Sequence, residues 1–375
     1  MMDSSSEKIT KHDSTSIIFP FSINIDPMEK LLLVNFEKDS DSIYTAFEPQ
    51  VFNDHINGSG HLVIGWRKDK KIDVYHDDAL TLDPSKYNIA GAGLNQMISC
   101  DMKNCTYEVD KFGVQAQYKF KDLKGRTVKI EIRERNPRKR KSFGLLAPMG
   151  DAASHPTSLP LVLLHDFYFV RKSQTDIFVL IDKRLHKVDD LPIPIDFQKM
   201  TFTRYSPKPL IATLNPEHNG ILETLDLKIG QQTFEKENIT YELEWNKNSP
   251  FVKSMIVKNA VYPLSMSFEP SFPSLNMNKV SQKGKFRISG HESVGSISGE
   301  YVIHSDNTSL AIQLSPIKGW KPKTTKFSTW FLFNVAKVFK KWPSTYQWDA
   351  QFKKNPKGEW TMQSKWTRTG KILKD

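Results

Sequence analysis

The sequence predicts an all-β chain, and three observations carry that prediction. Apolar and polar residues alternate with period two from end to end, turn-forming residues interrupt the alternation at short intervals, and helical spacing is scarce. Many strands at short spacing favour two antiparallel barrels or sandwiches over a parallel α/β sheet. A chain of 375 residues makes two domains the default, and a hydrophobic content of 38% can fill a core in each.

Taken in order, Met1 to Ser16 is rich in Ser, Lys and Asp and has little to bury, so residues 1–16 are expected to form a disordered tail. The segments His61–Trp66 and Lys71–His76, joined by a charged RKDK, read as a hairpin. Phe112, Val114, Ala116, Tyr118 and Phe120 alternate with polar residues, as do Val128, Ile130 and Ile132. They form a second hairpin in which Gly125 can take a positive φ. The same alternation marks Ile239–Trp245, Ile297–Ile303 and Leu310–Leu314. The chain closes on the clearest hairpin of all, Tyr346–Phe352 and Trp360–Trp366 around Asn355-Pro356-Lys357-Gly358.

One helix is expected. Phe327, Phe331, Leu332, Val335, Val338, Phe339 and Trp342 share a face at 100° per residue, and Pro343 would stop it. The proline-rich Leu191–Lys199 stretch suggests a boundary, giving domains 17–195 and 196–375.

Charge is distributed unevenly. The last sixty residues hold 14 Lys/Arg against 3 Asp/Glu, which accounts for the whole formal charge of +11, and they hold six of the eight tryptophans. The structural reading is that these indoles fill a core while the lysines reach outward. The functional readings are an anionic membrane surface or single-stranded nucleic acid, the latter disfavoured because the aromatics alternate as core residues do. The basic run Arg133–Lys141 is either the solvated end of a strand or an anion patch without base readout.

No apolar stretch approaches the ~20 residues of a spanning helix, and the start lacks a signal-peptide pattern, so a cytoplasmic location is expected. In that setting Cys100 and Cys105 are expected to be reduced thiols. Phosphate-binding glycine loops, HExxH and Gly-x-Ser-x-Gly are absent, so neither cofactor nor metal is expected.

Two His-Asp pairs are candidate acid/base groups. His76-Asp77 ends a predicted strand, where a turn is the plain alternative, and His165-Asp166 lies between apolar runs, where a structural pair is.

The alternating aromatic hairpins, the Phe327–Trp342 helix and the final Tyr346–Trp366 hairpin resemble the two-domain lipocalin-like proteins of the carotenoid 1,2-hydratase type. The Glu-Trp-Trp-Tyr-like cluster of that family has no counterpart here, so no functional residue is carried over. The resemblance implies an apolar barrel or cleft for a lipid or isoprenoid-like ligand, and hydratase, isomerase or cyclase chemistry. Such chemistry needs a carboxylic acid, for which Asp77 or Asp166 is named, and an apolar wall. Trp66, Tyr75, Tyr118, Trp245 and Trp348 are the aromatics named for that wall. The second reading is a peripheral module that binds anionic surfaces through its basic C-terminal face.

Overall fold

A computed structural model describes residues 14–87, 89, 92–147, 156–258, 262, 264–275, 281–305, 309–323, 330–331, 333 and 341–369. It is built from strands that pair antiparallel except for β6 with β7, and the described residues contain no helix longer than a single turn or so. The strands begin with β1 (Ser14–Ile18), β2 (Ile23–Asp26), β3 (Lys30–Asn35), β4 (Tyr44–Asp54), β5 (Gly58–Arg67), β6 (Ile72–His76) and β7 (Leu94–Ser99). Next come β8 (Thr106–Val109), β9 (Val114–Lys121), β10 (Thr127–Glu134), β11 (Phe143–Ala147), β12 (Leu159–Arg171), β13 (Thr175–Ile181) and β14 (Arg184–His186). They continue with β15 (Met200–Ser206), β16 (Pro209–Leu214), β17 (His218–Ile221), β18 (Thr224–Lys228), β19 (Thr233–Lys236), β20 (Ile239–Asn246) and β21 (Ser249–Val257). The last six are β22 (Leu264–Pro273), β23 (Ser281–Ser289), β24 (Ser296–Ser305), β25 (Leu310–Lys321), β26 (Tyr346–Lys354) and β27 (Trp360–Arg368).

Two ten-stranded sheets dominate. The first runs β2-β16-β12-β15-β3-β4-β5-β6-β7 with β11 beside β12, and the second runs in sequence from β19 to β27 apart from β17, which pairs with β27. A five-stranded sheet, β14-β13-β10-β9-β8, covers one face of the first. Between them lies a core of Leu32, Phe47, Tyr75, Tyr118, Val128 and Val179, among others. A second core fills the inner face of the β19–β27 sheet and continues without a break onto β11, β12 and β16.

The hairpins read from the alternation are present in register. Tyr118 faces Ile130, Val63 faces Tyr75, Tyr301 faces Leu314 and Trp348 faces Trp366. Gly125 and Gly358 take φ of 72° and 80° in their turns, as the sequence requires.

The tail expected through residue 16 gives way at Ser14, where β1 pairs with β18; residues 1–13 lie outside the described ones. Past the divide expected at 195/196, β15 and β16 pair with β12, β3 and β2 of the first sheet. Proline richness in Leu191–Lys199 therefore marks a loop inside the first half. The helix expected over Phe327–Trp342 lies mostly outside the described residues. At its end Trp342–Thr345 forms one 3-10 turn, and Phe333 is buried against Trp320.

The tryptophan-rich end is core. Trp320, Trp342, Trp348 and Trp366 are buried and Trp360 is half-buried, while Trp330 is exposed. The basic run after β10 is tied down as well. The Arg140 guanidinium lies 4.7 Å over the Tyr168 ring and donates to the Asp110 carbonyl at 2.7 Å, and the Arg138 carbonyl accepts from Arg171 Nη1 at 2.8 Å.

Arg171 reaches into the end of the first core and pairs with Glu134 at 3.0 Å, with both side chains almost fully enclosed. Glu134 also accepts from the Val114 amide at 3.0 Å. A Cβ at Gly113, whose φ is 139°, would collide with the Glu134 carboxylate, so glycine alone fits there. Removing one partner of such a pair leaves a bare buried charge and costs about 3–5 kcal/mol. Arg171→Ala should lower the unfolding free energy in urea by about that amount, and pairing it with Glu134→Gln should recover a large part. An Arg171→Ala loss below about 1 kcal/mol would show that the pair does not hold this end together.

Candidate ligand cleft

Between the two large sheets opens a cleft of about 1330 Å³. One wall is the edge of the first sheet, β2 and β16, together with Gln50 and Phe52 of β4, Ile64 of β5, and the Leu82, Tyr87 and Ile89 side chains beside them. The other comes from both ends of the second sheet, with Tyr346, Trp348 and Met362 from β26 and β27 and Ile239 and Tyr241 from β20. Strand alternation explains the apolar lining. On β16, Ile211 and Thr213 face the cleft, and on β26 Tyr346 and Trp348 do. Phe19, Ile25, Met28, Leu82 and Ile239 are half-buried apolar side chains within reach of an occupant.

The rim is charged and mainly acidic. Lys86 pairs with Asp26 on one side and Lys236 with Glu223 on the other. Asp83, Glu217 and Glu237 also line the cleft, so five carboxylates stand against two lysines in a protein whose net charge is +11.

Gln50 sits in the wall, buried, and its amide nitrogen donates to Glu48 Oε1 at 2.9 Å. The indole nitrogen of Trp66 donates to Glu48 Oε2 at 3.0 Å. Burial pushes the Glu48 carboxyl above its ordinary range, against the two hydrogen bonds and the Arg204 charge, which pull it down. Burial likewise pushes Arg204 down to about 10. Tyr87, also in the wall, is raised by burial with the Asp26 and Glu48 charges nearby.

At the opposite end, where β17, β26 and β27 meet, polar atoms are enclosed without a partner. Trp348 Nε1, Asn215 Nδ2 and His218 Nε2 belong to cleft-lining residues and make no hydrogen bond among the described residues. A buried donor left in that state costs about 1–3 kcal/mol.

Of the nine residues named from sequence, Trp348 alone lines the cleft. Trp66 reaches it through Glu48 and Gln50. Tyr75 and Tyr118 lie inside the first core, where the Tyr75 hydroxyl meets that of Tyr44 at 2.6 Å and the Tyr118 hydroxyl meets His61 Nδ1 at 3.0 Å. The Trp245 indole donates to the Gln231 carbonyl at 2.7 Å. His76 and Asp77 form a turn: His76 Nδ1 lies 2.8 Å from the Asp77 carbonyl, and the Asp77 carboxylate accepts from the Ala79 amide at 3.1 Å. His165 stacks flat on Tyr262 at 3.7 Å, 6.0 Å from His291, and burial holds it down to about 4. In β12 His165 is buried and Asp166 half-buried. The structure does not bring the two His-Asp pairs together.

Glu48, Gln50, Asn215 and His218 were not singled out in the sequence. A signal existed for the first two. In Phe47-Glu48-Pro49-Gln50-Val51-Phe52 two polar residues occupy one face of an otherwise apolar strand.

Cys100 and Cys105 are free, and burial raises the Cys100 thiol to about 11. Among the described residues no group of His, Cys, Asp and Glu is placed to hold a metal, and no helix is long and apolar enough to cross a membrane. Comparison with known families, curated proteins and solved structures finds no match for the chain.

Because burial holds the Glu48 proton above the ordinary value of 4.5, folding binds a proton in that window. The associated stability is complete below about 4.5 and is lost as pH rises through the folded value. Glu48→Gln removes this term. In urea titrations from about pH 4.5 to about pH 8, the stability of wild type relative to the variant should fall as pH rises. A difference that stays flat would show that Glu48 titrates normally.

Proposed function

We propose that this protein binds a hydrophobic small molecule, of lipid or isoprenoid-like character, in the cleft between its two large sheets. The observation that carries this reading is the cleft itself, whose volume of about 1330 Å³ exceeds the ~300–1,000 Å³ typical of small-molecule sites and whose lining includes the half-buried apolar side chains Phe19, Ile25, Met28, Leu82 and Ile239. Burying roughly 400 Å² of apolar ligand there gains about 10 kcal/mol before the cost of association. Hydratase, isomerase or cyclase chemistry on such a ligand would need an acid at the wall. Glu48, raised by burial, lies behind Gln50 of the lining and does not itself line the cleft.

The burial of Trp320, Trp342, Trp348 and Trp366 favours this reading over a surface-binding module, since those indoles are not offered to a membrane.

The test is titration with N-phenyl-1-naphthylamine, a neutral apolar dye that brightens out of water. Saturable binding should persist at about 0.5 M NaCl, because apolar burial is not screened. Thr213→Trp, which puts an indole into the cleft from β16, should weaken binding at least ~10-fold, about 1.4 kcal/mol. Absence of saturable binding, or binding indifferent to Thr213→Trp, would remove the cleft as the site.

A further inference from the structure

The enclosed polar atoms at the β17–β26–β27 end identify the kind of molecule the cleft takes. Trp348 is wholly buried and Asn215 is 2% exposed, yet Trp348 Nε1 and Asn215 Nδ2 have no hydrogen-bond partner among the described residues. The surrounding contacts hold the two residues in one place. The Trp348 ring lies 5.6 Å from Phe21, and the Ser22 amide of the next residue donates to Asn215 Oδ1 at 3.0 Å. Trp366, directly opposite Trp348 in the sheet, donates its indole proton to the Asn215 carbonyl at 2.8 Å. Asn215 is thus fixed at its backbone and at its side-chain oxygen, and only the amide nitrogen is left over. His218, three residues on, adds a third enclosed nitrogen in the same wall.

Trp348 Nε1 and Asn215 Nδ2 can only donate, whereas the other unpartnered atoms nearby, His218 Nε2 and Ser364 Oγ on the strand paired with it, can accept as well. Two unsatisfied donors in apolar surroundings call for an oxygen with lone pairs. Carboxylate and carbonyl oxygens both qualify, and the rim decides between them. An anionic ligand would enter past Asp26, Glu217, Glu223 and Glu237, with two lysines already engaged in ion pairs. An uncharged oxygen meets no such barrier.

We infer that the β17–β26–β27 end of the cleft takes the uncharged carbonyl oxygen of an otherwise apolar ligand, with Trp348 Nε1 and Asn215 Nδ2 as its donors. The inference rests on the cleft being the ligand site. Binding includes a small movement of the side chains that now enclose the two nitrogens, after which the ligand oxygen replaces a missing partner. A site built this way rejects the hydrocarbon lacking that oxygen, because its donors would stay unpaired.

Competition against bound N-phenyl-1-naphthylamine tests this, with undecane, 2-undecanone and undecanoate as competitors. The quantity read is the ketone-to-alkane affinity ratio within each protein, compared between proteins so that solvent partitioning cancels. Trp348→Phe keeps an aromatic wall and removes the N–H. Asn215→Asp keeps the oxygen that Ser22 uses and replaces the donor with an acceptor. Each should lower the ratio about tenfold relative to wild type. In wild type, undecanoate should compete less well than 2-undecanone. A ratio unchanged by both substitutions would overturn the inference, as would undecanoate outcompeting the ketone. Failure of the dye to bind wild type at all would instead remove the cleft reading on which the inference rests.

Discussion

The architecture depends on one strand that must satisfy neighbours on both faces and both edges. Strand β12 spans thirteen residues, Leu159–Arg171, and is buried along most of its length. Its first half pairs with β16, from Leu159 opposite Leu214 to Leu164 opposite Pro209, and its second half pairs with β15 around Tyr168 and Tyr205. The pairing with β11 slips between Phe143 and Leu145, close to His165-Asp166, where a strand of this length must bend to follow the sheet's twist. The change of partner lets one sheet serve two cores. The β15 end closes onto the tyrosine-lined first core, and the β16 end joins the core of the second sheet. The cleft lies beside that junction because β16 and β2 end the first sheet there and present one side to the β26–β27 hairpin.

Much of this was legible in the sequence where burial is one-sided. A half-buried strand must alternate, so the β9–β10, β5–β6 and β26–β27 hairpins can be read together with their partners. The double-sided burial of β12 erases the alternation, leaving Leu159–Leu164 and Phe167–Val170 as plain apolar runs whose partners cannot be read. The same limit applies to the stretch after the proline-rich segment. Met200–Leu214 belongs to the first sheet through long-range pairing with β12, β3 and β2, and local proline content carries no trace of that.

The candidate site was less legible, for a related reason. Tyr75 and Tyr118 look like ligand-wall aromatics, but inside the first core their hydroxyls are bonded to Tyr44 and His61, and a paired hydroxyl closes a core rather than opening it. His76-Asp77 has the composition of an acid/base pair and the hydrogen bonds of a turn. Trp348 was found because it sits in a well-formed hairpin. Asn215 was missed because its importance lies in the φ of 45° and in the bonds from Ser22 and Trp366, all of them products of the tertiary fold.

The two ends of the cleft are polar in opposite senses. At the Gln50 end a carboxyl with raised affinity for its proton is held by neutral donors, and at the Trp348 end donors stand without acceptors. The lining mixes apolar and polar side chains, and the rim is acidic. A ligand matched to this arrangement is long, largely hydrocarbon and uncharged, with its oxygen set toward β26. That orientation would place its far end beside Gln50, behind which Glu48 is buried. Recognition would then depend on the pairing of β16 with β12, which holds the β16 wall of the cleft in place.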